Sequence, residues 1–157
     1  MTKLNIMRIG GDYLNGYINI TPTKNEEHLD ASIGSLNNVD WIVDNGELEE
    51  IIADKVLEYF PYSETATIIS NWVSKLKVGG TIVIGIIDTY ELTRMLSLRS
   101  MDLSTYNNIA NGAGPDYKKA SLSTQDIIDK VTYPHSLKLI EHTLKGVDST
   151  LTFRRYQ

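Results

Sequence analysis

The sequence predicts an α/β domain built on a mainly parallel sheet that ends in an antiparallel C-terminal hairpin. Three observations carry this. Residues 81–87 form an apolar run without charge, entered through Gly79-Gly80 and left through Asp88, the pattern of a parallel strand covered on both faces. Just before it, Ile68, Ile69, Trp72, Val73 and Leu76 fall on one face of a helix, with Ser70, Asn71, Ser74, Lys75 and Lys77 on the other. Residues 136–142 and 150–156 alternate like two strands joined by a turn at Lys145-Gly146.

The remaining elements follow in chain order. Residues 4–9 and 17–20 are short apolar strands, and the gap between them is too short for a helix, with Asn15-Gly16 as turn chemistry. Residues 21–36 are polar, lack a strong period and read as loop. Residues 39–43 give a third strand ending at Asp44-Asn45-Gly46, and residues 48–57 hold a fourth that ends near Asp54. Ser63 is expected to cap the central helix and Gly79 to close it in the left-handed conformation. Asp88, with Glu91 three residues on, is expected to cap a helix over 89–98. Residues 101–119 contain Gly112, Gly114 and Pro115 without a clear period and read as a long loop, a class that is usually functional or mobile. Ser123 or Thr124 caps a helix over 123–131.

Composition removes several classes of function. The 157 residues suit one domain, 1–157. Without cysteine there are no disulfides, thiolate metal sites or cysteine nucleophiles, and a reducing cytoplasm is the expected compartment. A net charge of −5 with no basic run argues against a nucleic-acid partner. No apolar run is long enough to span a bilayer, and no secretory h-region is expected at the N-terminus. Asn19-Ile20-Thr21 matches a glycosylation sequon but falls in a strand.

Asp12, Thr21, Asp44, Asp54 and Asp88 each follow an expected strand, so in a parallel sheet they would line one crevice at the carboxyl edge. Each has an alternative role as a cap or turn former. Tyr59, Tyr62, Tyr90, Tyr106 and Tyr117 are candidates to edge that crevice, although a tyrosine at the core margin is the ordinary case. Gly112-Ala113-Gly114 lacks a preceding strand and is no dinucleotide fingerprint. His28, His135 and His142 lack the spacing of a zinc helix, so no metal site is expected.

Several segments together resemble a family. Val56-Leu57-Glu58-Tyr59-Phe60-Pro61, then Asn71-Trp72, then Leu76-Lys77-Val78-Gly79-Gly80-Thr81-Ile82-Val83-Ile84, closing at Asp88, are similar to the "VLEHFP", "EW", "LKPGGxLxI" and "PD" segments of class I S-adenosylmethionine-dependent methyltransferases, in the same order. The stretch Gly10-Gly11-Asp12-Tyr13-Leu14-Asn15-Gly16-Tyr17-Ile18-Asn19-Ile20 resembles the "GxGxDYxPGYxNxD" of a subgroup in which the first two strands follow each other directly. Asp116-Tyr117-Lys118-Lys119 resembles its "DYHK". The resemblance implies a Rossmann-like methyltransferase fold with S-adenosylmethionine as cofactor and S-adenosylhomocysteine as product. It also implies a small-molecule acceptor, a saccharide among the candidates.

On that resemblance Arg8, Gly10, Gly11, Asp12, Thr21, Asp44, Asp54 and Lys55 would contact the cofactor, and Asp88, Tyr117 or Lys118 the acceptor. Two positions depart from the family pattern. Arg8 stands where the family has glycine against the methionine end of the cofactor, and Thr21 stands where an acid usually accepts the ribose hydroxyls. Two alternatives therefore stay open: a non-catalytic binding or assembly module, or a pocket in which Arg8 holds another anion such as a nucleotide or sugar phosphate.

Overall fold

Strands β1 (Lys3–Ile6), β2 (Ile18–Thr21), β3 (Ser32–Ile33), β4 (Leu48–Asp54), β5 (Leu76–Ile87), β6 (Leu137–Lys145) and β7 (Asp148–Arg155) form one sheet. Its order is β3-β2-β1-β4-β5-β7-β6. Neighbours from β3 through β5 run parallel, while β7 lies antiparallel to both β5 and β6. The structure is a computed structural model and describes residues 1–24, 26–112 and 117–157. Among these, no helix is long and apolar enough to cross a membrane.

The helices are α1 (Thr65–Lys75), α2 (Thr89–Ser97), α3 (Leu103–Asn111) and α4 (Thr124–His135). The expected amphipathic helix, central strand and terminal hairpin are all present. The α1 stripe of Ile68, Ile69, Trp72 and Val73 packs with Ile127 and Val131 of α4 over Leu4, Ile6, Ile51, Ile82, Ile84, Leu151 and Phe153 in one buried core.

That core lies on one side of the sheet, which corrects the expectation that β5 is covered on both faces. Along β5, Ile82, Ile84 and Ile86 are buried while Thr81, Val83 and Ile87 remain half-exposed. The half-exposed set continues sideways in register, as Glu50–Thr81–Arg154 and Ile52–Val83–Thr152. The reason is in the connections. Among the described residues no α-helix joins β1 to β2, β2 to β3 or β3 to β4, so these connections add none to the second face, which α2 and α3 approach at its carboxyl end, where Leu92, Tyr106 and Ile109 share a cavity with Ile87. The apolar run of β5 misled because β-branched residues also suit a half-open sheet face.

Three further expectations change. Residues 39–43 are not a strand: Ile42 and Val43 both donate to the Val39 carbonyl, making one helical turn that buries Val39 and Val43. Apolar residues at i and i+4 satisfy a helical turn as well as a short strand. This turn is clamped to α1, where Asn71 Oδ1 accepts from the Val39 amide at 2.9 Å and Trp72 Nε1 donates to the Leu36 carbonyl at 2.8 Å. The long loop expected over 101–119 contains α3, capped by Asp102, whose carboxylate accepts from the Thr105 amide at 2.7 Å. Finally, Ser63 does not cap α1, which a 3-10 turn over Tyr62–Glu64 leads into instead. Gly79 does adopt φ +84°, but at a register shift within β5 rather than as a helix cap.

The one-sided core makes a paired prediction. Ile84→Asp would bury an unpaired carboxylate and should destabilise by several kcal/mol, enough to unfold a marginal domain. The same change at the adjacent Val83, on the open face, should cost about 1 kcal/mol. Thermal melts of the two variants check this, and equal losses would contradict the single covered face.

Candidate functional site

The carboxyl ends of β1, β2 and β4 meet at a loop over residues 8–14 that local chemistry holds in place. The Gly11 amide donates to the Arg8 carbonyl at 2.9 Å, and Gly10 sits at φ +71°, where a side chain would be strained. A Cβ at Gly11 would lie 3.0 Å from the Arg8 carbonyl oxygen, so this turn closes tightly only on glycine. Two buried asparagines anchor it from below. Asn5 Nδ2 donates to the Asp12 carbonyl at 2.8 Å and to Asn19 Oδ1 at 2.7 Å, while Asn19 exchanges hydrogen bonds with the Leu14 backbone. Asn19 is thus an internal brace, as its place in a strand indicated.

Three adjoining cavities surround this loop. One of about 570 Å³ lies between residues 9–13 on one side and residues 21–24 and 26–28 on the other and is polar, with Asp12, Thr21, Lys24, Glu26 and His28 on its walls. His28 stacks on Tyr13 there, with ring centroids 4.5 Å apart. A second, of about 250 Å³, lies beneath the loop against the open sheet face and holds Arg8, Gly11, Asp12 and Asp54. The third, of about 410 Å³, is mostly apolar. Leu36, Val56, Tyr59, Phe60 and Tyr117 line it with Arg8 and Lys119.

Most residues expected to touch a cofactor meet here. Gly10, Gly11, Asp12 and Thr21 line the first cavity, and Arg8, Gly11, Asp12 and Asp54 the second. Asp44 does not join them. It precedes β4 rather than following a strand, and the neighbouring Gly46 amide bonds to Ser74 near the end of α1, which puts Asp44 at the opposite, amino edge of the sheet. Lys55 turns towards β7, 3.2 Å from Asp148 and 3.9 Å from Asp54, and lines none of the three cavities.

The expected acceptor-side groups separate. Tyr117 lines the apolar cavity. Lys118 turns away from it, donating to the Ile109 carbonyl at 2.7 Å, and burial pushes its ammonium below the usual lysine range. Asp116 lies outside the described residues. Asp88 is buried and committed: Oδ1 accepts from the Glu91 amide at 3.0 Å, and Oδ2 from the Thr124 amide at 2.8 Å and the Thr124 hydroxyl at 2.7 Å. Burial alone would raise this carboxyl, but those donors hold it below the usual aspartate range. Of the candidate tyrosines, Tyr59 also reaches the apolar cavity, whereas Tyr62 bonds to Asp126 and Tyr90 is exposed.

Sequence reasoning gave no role to Glu58, which is 1% exposed. Its Oε1 accepts from the Ile87 amide at 2.7 Å, and its carbonyl accepts from the Lys119 and Ala120 amides. Its Oε2 has no partner among the described residues. The only signal was its place in the "VLEHFP"-like segment. Burial raises the Glu58 carboxyl above the ordinary value of 4.5, against the pull of the Ile87 amide and the Lys118 charge. The folded chain therefore holds a proton there that the unfolded chain has lost, and stability falls as pH rises from about 4.5 through the raised value. Relative to Glu58→Gln, the parent should lose stability over that interval, as read by denaturant titration. A parent–variant difference that stays constant from about pH 4.5 to 7.5 would contradict the shift.

No family model and no curated protein matches the sequence. Solved structures do. The chain is similar to a SAM-dependent methyltransferase from Methanosarcina mazei, with 11% identity, a TM-score of 0.66, and 99% of this chain and 92% of that one covered. It is also similar to the N-methyltransferase NodS from Bradyrhizobium japonicum, solved with S-adenosyl-L-homocysteine, at 13% identity and a TM-score of 0.65 over 99% of this chain and 78% of that one. A SAM-dependent methyltransferase from Clostridium acetobutylicum gives 11% identity and a TM-score of 0.62, covering 100% and 85%. At such identities the likeness is one of fold: this chain has the Rossmann-like fold of class I SAM-dependent methyltransferases.

Proposed function

We propose that the chain is a methyltransferase-like domain over residues 1–157 that binds S-adenosylmethionine and passes its methyl group to a small-molecule acceptor. The observation that carries this reading is the division of charge around Arg8. The two cavities holding the expected cofactor residues also hold the carboxylates Asp12, Asp54 and Glu26, which suit a ligand with sulfonium and ammonium charges. The adjoining apolar cavity shares the Arg8 wall and offers a place for the acceptor.

The donor set fits the cofactor's amino-acid end best. Among the described residues the Arg8 guanidinium makes one hydrogen bond, to the Ile9 carbonyl at 3.3 Å, and it is available to a carboxylate. Thr21 is a weaker match to a ribose, since it brings no charge and its side chain is buried. When bound, S-adenosylmethionine supplies an electrophilic methyl group whose bonding pair stays on sulfur as the acceptor oxygen or nitrogen takes the carbon. The protein's part is positioning: the glycine turn and Arg8 orient one partner, and Tyr59, Phe60 and Tyr117 shape the space for the other. A base is needed only for an acceptor that must lose its proton early, and Asp88 and Lys118 are both engaged elsewhere. That engagement favours a second reading, a module that binds the cofactor or its product without methyl transfer.

Calorimetric titration tests the binding common to both readings. Arg8→Ala should weaken S-adenosylmethionine binding about tenfold, the lower end of what one charge-assisted hydrogen bond contributes. Unchanged affinity removes Arg8 from the site. Binding gained only in Arg8→Gly would make Arg8 a block, and no binding by either protein would leave the fold without the cofactor.

A further inference from the structure

The chain has 20 acidic and 15 basic residues, yet none of the described residues lining the 410 Å³ cavity is acidic. Its charged groups are Arg8 and Lys119, and neither makes an ion pair among the described residues. Both are placed by backbone. Arg8 opens the glycine turn, and the Lys119 amide donates to the Glu58 carbonyl at 2.7 Å, which ties the 117–119 wall to the core. Facing the cations are Tyr59, Phe60 and Leu36, the first two set by a 3-10 turn over Leu57–Tyr59. An unpaired lysine beside aromatic walls suits a ligand with a flat or ring-shaped apolar face and a negative group at its rim.

We infer that the acceptor held in this cavity is a ring-bearing anion, gripped by Lys119 with its ring against Tyr59 and Phe60, while Arg8 on the shared wall stays with the cofactor's carboxylate. This rests on the methyltransferase reading, in which the neighbouring acid-lined cavities take the positively charged cofactor. The opposed charges of the two compartments would then sort the two ligands. Each would be repelled from the other's place, so specificity comes from rejection as well as attraction. An aromatic carboxylate and a sugar acid share this chemistry.

Calorimetry of the full chain with S-adenosylhomocysteine present distinguishes them, using two matched pairs: para-hydroxybenzoate against para-hydroxybenzyl alcohol, and glucuronate against glucose. At least one acid should bind about tenfold or more tightly than its neutral twin. That preference should fall in Lys119→Gln with the melting temperature unchanged, because the side chain is exposed and the backbone amide keeps its bond. The pair that discriminates identifies the ring. Equal binding of acids and neutral twins, no acid bound at about 10 mM, or full preference kept in Lys119→Gln would overturn the inference. Binding of S-adenosylhomocysteine alone is the separate control. Its failure beside an intact preference for acids strikes only the methyltransferase reading, and its success without that preference strikes only this inference.

Discussion

Asp88 is the joint through which the carboxyl edge of the sheet is held together. It ends β5, its amide donates to the Val147 carbonyl in the β6–β7 turn, and its carboxylate takes the first turns of both α2 and α4. The network continues beyond it. Because the Thr124 hydroxyl donates to Asp88, it must accept from the buried Ser149 hydroxyl 2.7 Å away, and Ser149 in turn accepts from His142 Nε2 at 2.9 Å. One carboxylate thus sets the direction of a hydrogen-bond chain that crosses from β5 to the edge strand β6. Such a chain is stable only when every member is satisfied.

Glu58 works beside Asp88 in the same manner. Its side chain closes the Ile87 amide while its carbonyl fixes the 119–120 backbone, and so sets the Lys119 wall of the apolar cavity. The 250 Å³ cavity opens on the face of the sheet away from the α1–α4 core. With helices absent from the first three connections, the 8–14 loop takes over part of the cover. It needs the buried Asn5–Asn19 pair because a loop against a sheet must satisfy its own backbone groups.

The legible parts of this chain were those where one local signal had one structural meaning. The α1 stripe, the hairpin alternation and the Asp88 cap each specify geometry within a few residues, and each appears in the fold. Where a signal has two meanings, distant contacts decided. Val39 and Val43 fit a strand or a helical turn, and Asn71 and Trp72, some thirty residues on, choose the turn. Asp44 looked like a strand-end acid only because that turn was read as a strand, and the error moved it to the wrong edge. Glu58 and Lys119 were legible as parts of a resemblance but not as a buried brace and a cavity cation. Burial and charge neighbourhood arise from tertiary packing.

The central claim is that the donor cofactor occupies the acid-lined cavities around the glycine turn, leaving the apolar cavity to the acceptor. Amide NMR shift mapping with S-adenosylhomocysteine alone tests it most directly, because each cavity has its own backbone reporters. The account predicts the largest shifts at Gly10, Gly11, Asp12, Thr21 and Asp54, with Asp44 silent at the far edge. Shifts concentrated at Leu36, Tyr59, Phe60 and Lys119, with the glycine turn unmoved, would contradict it.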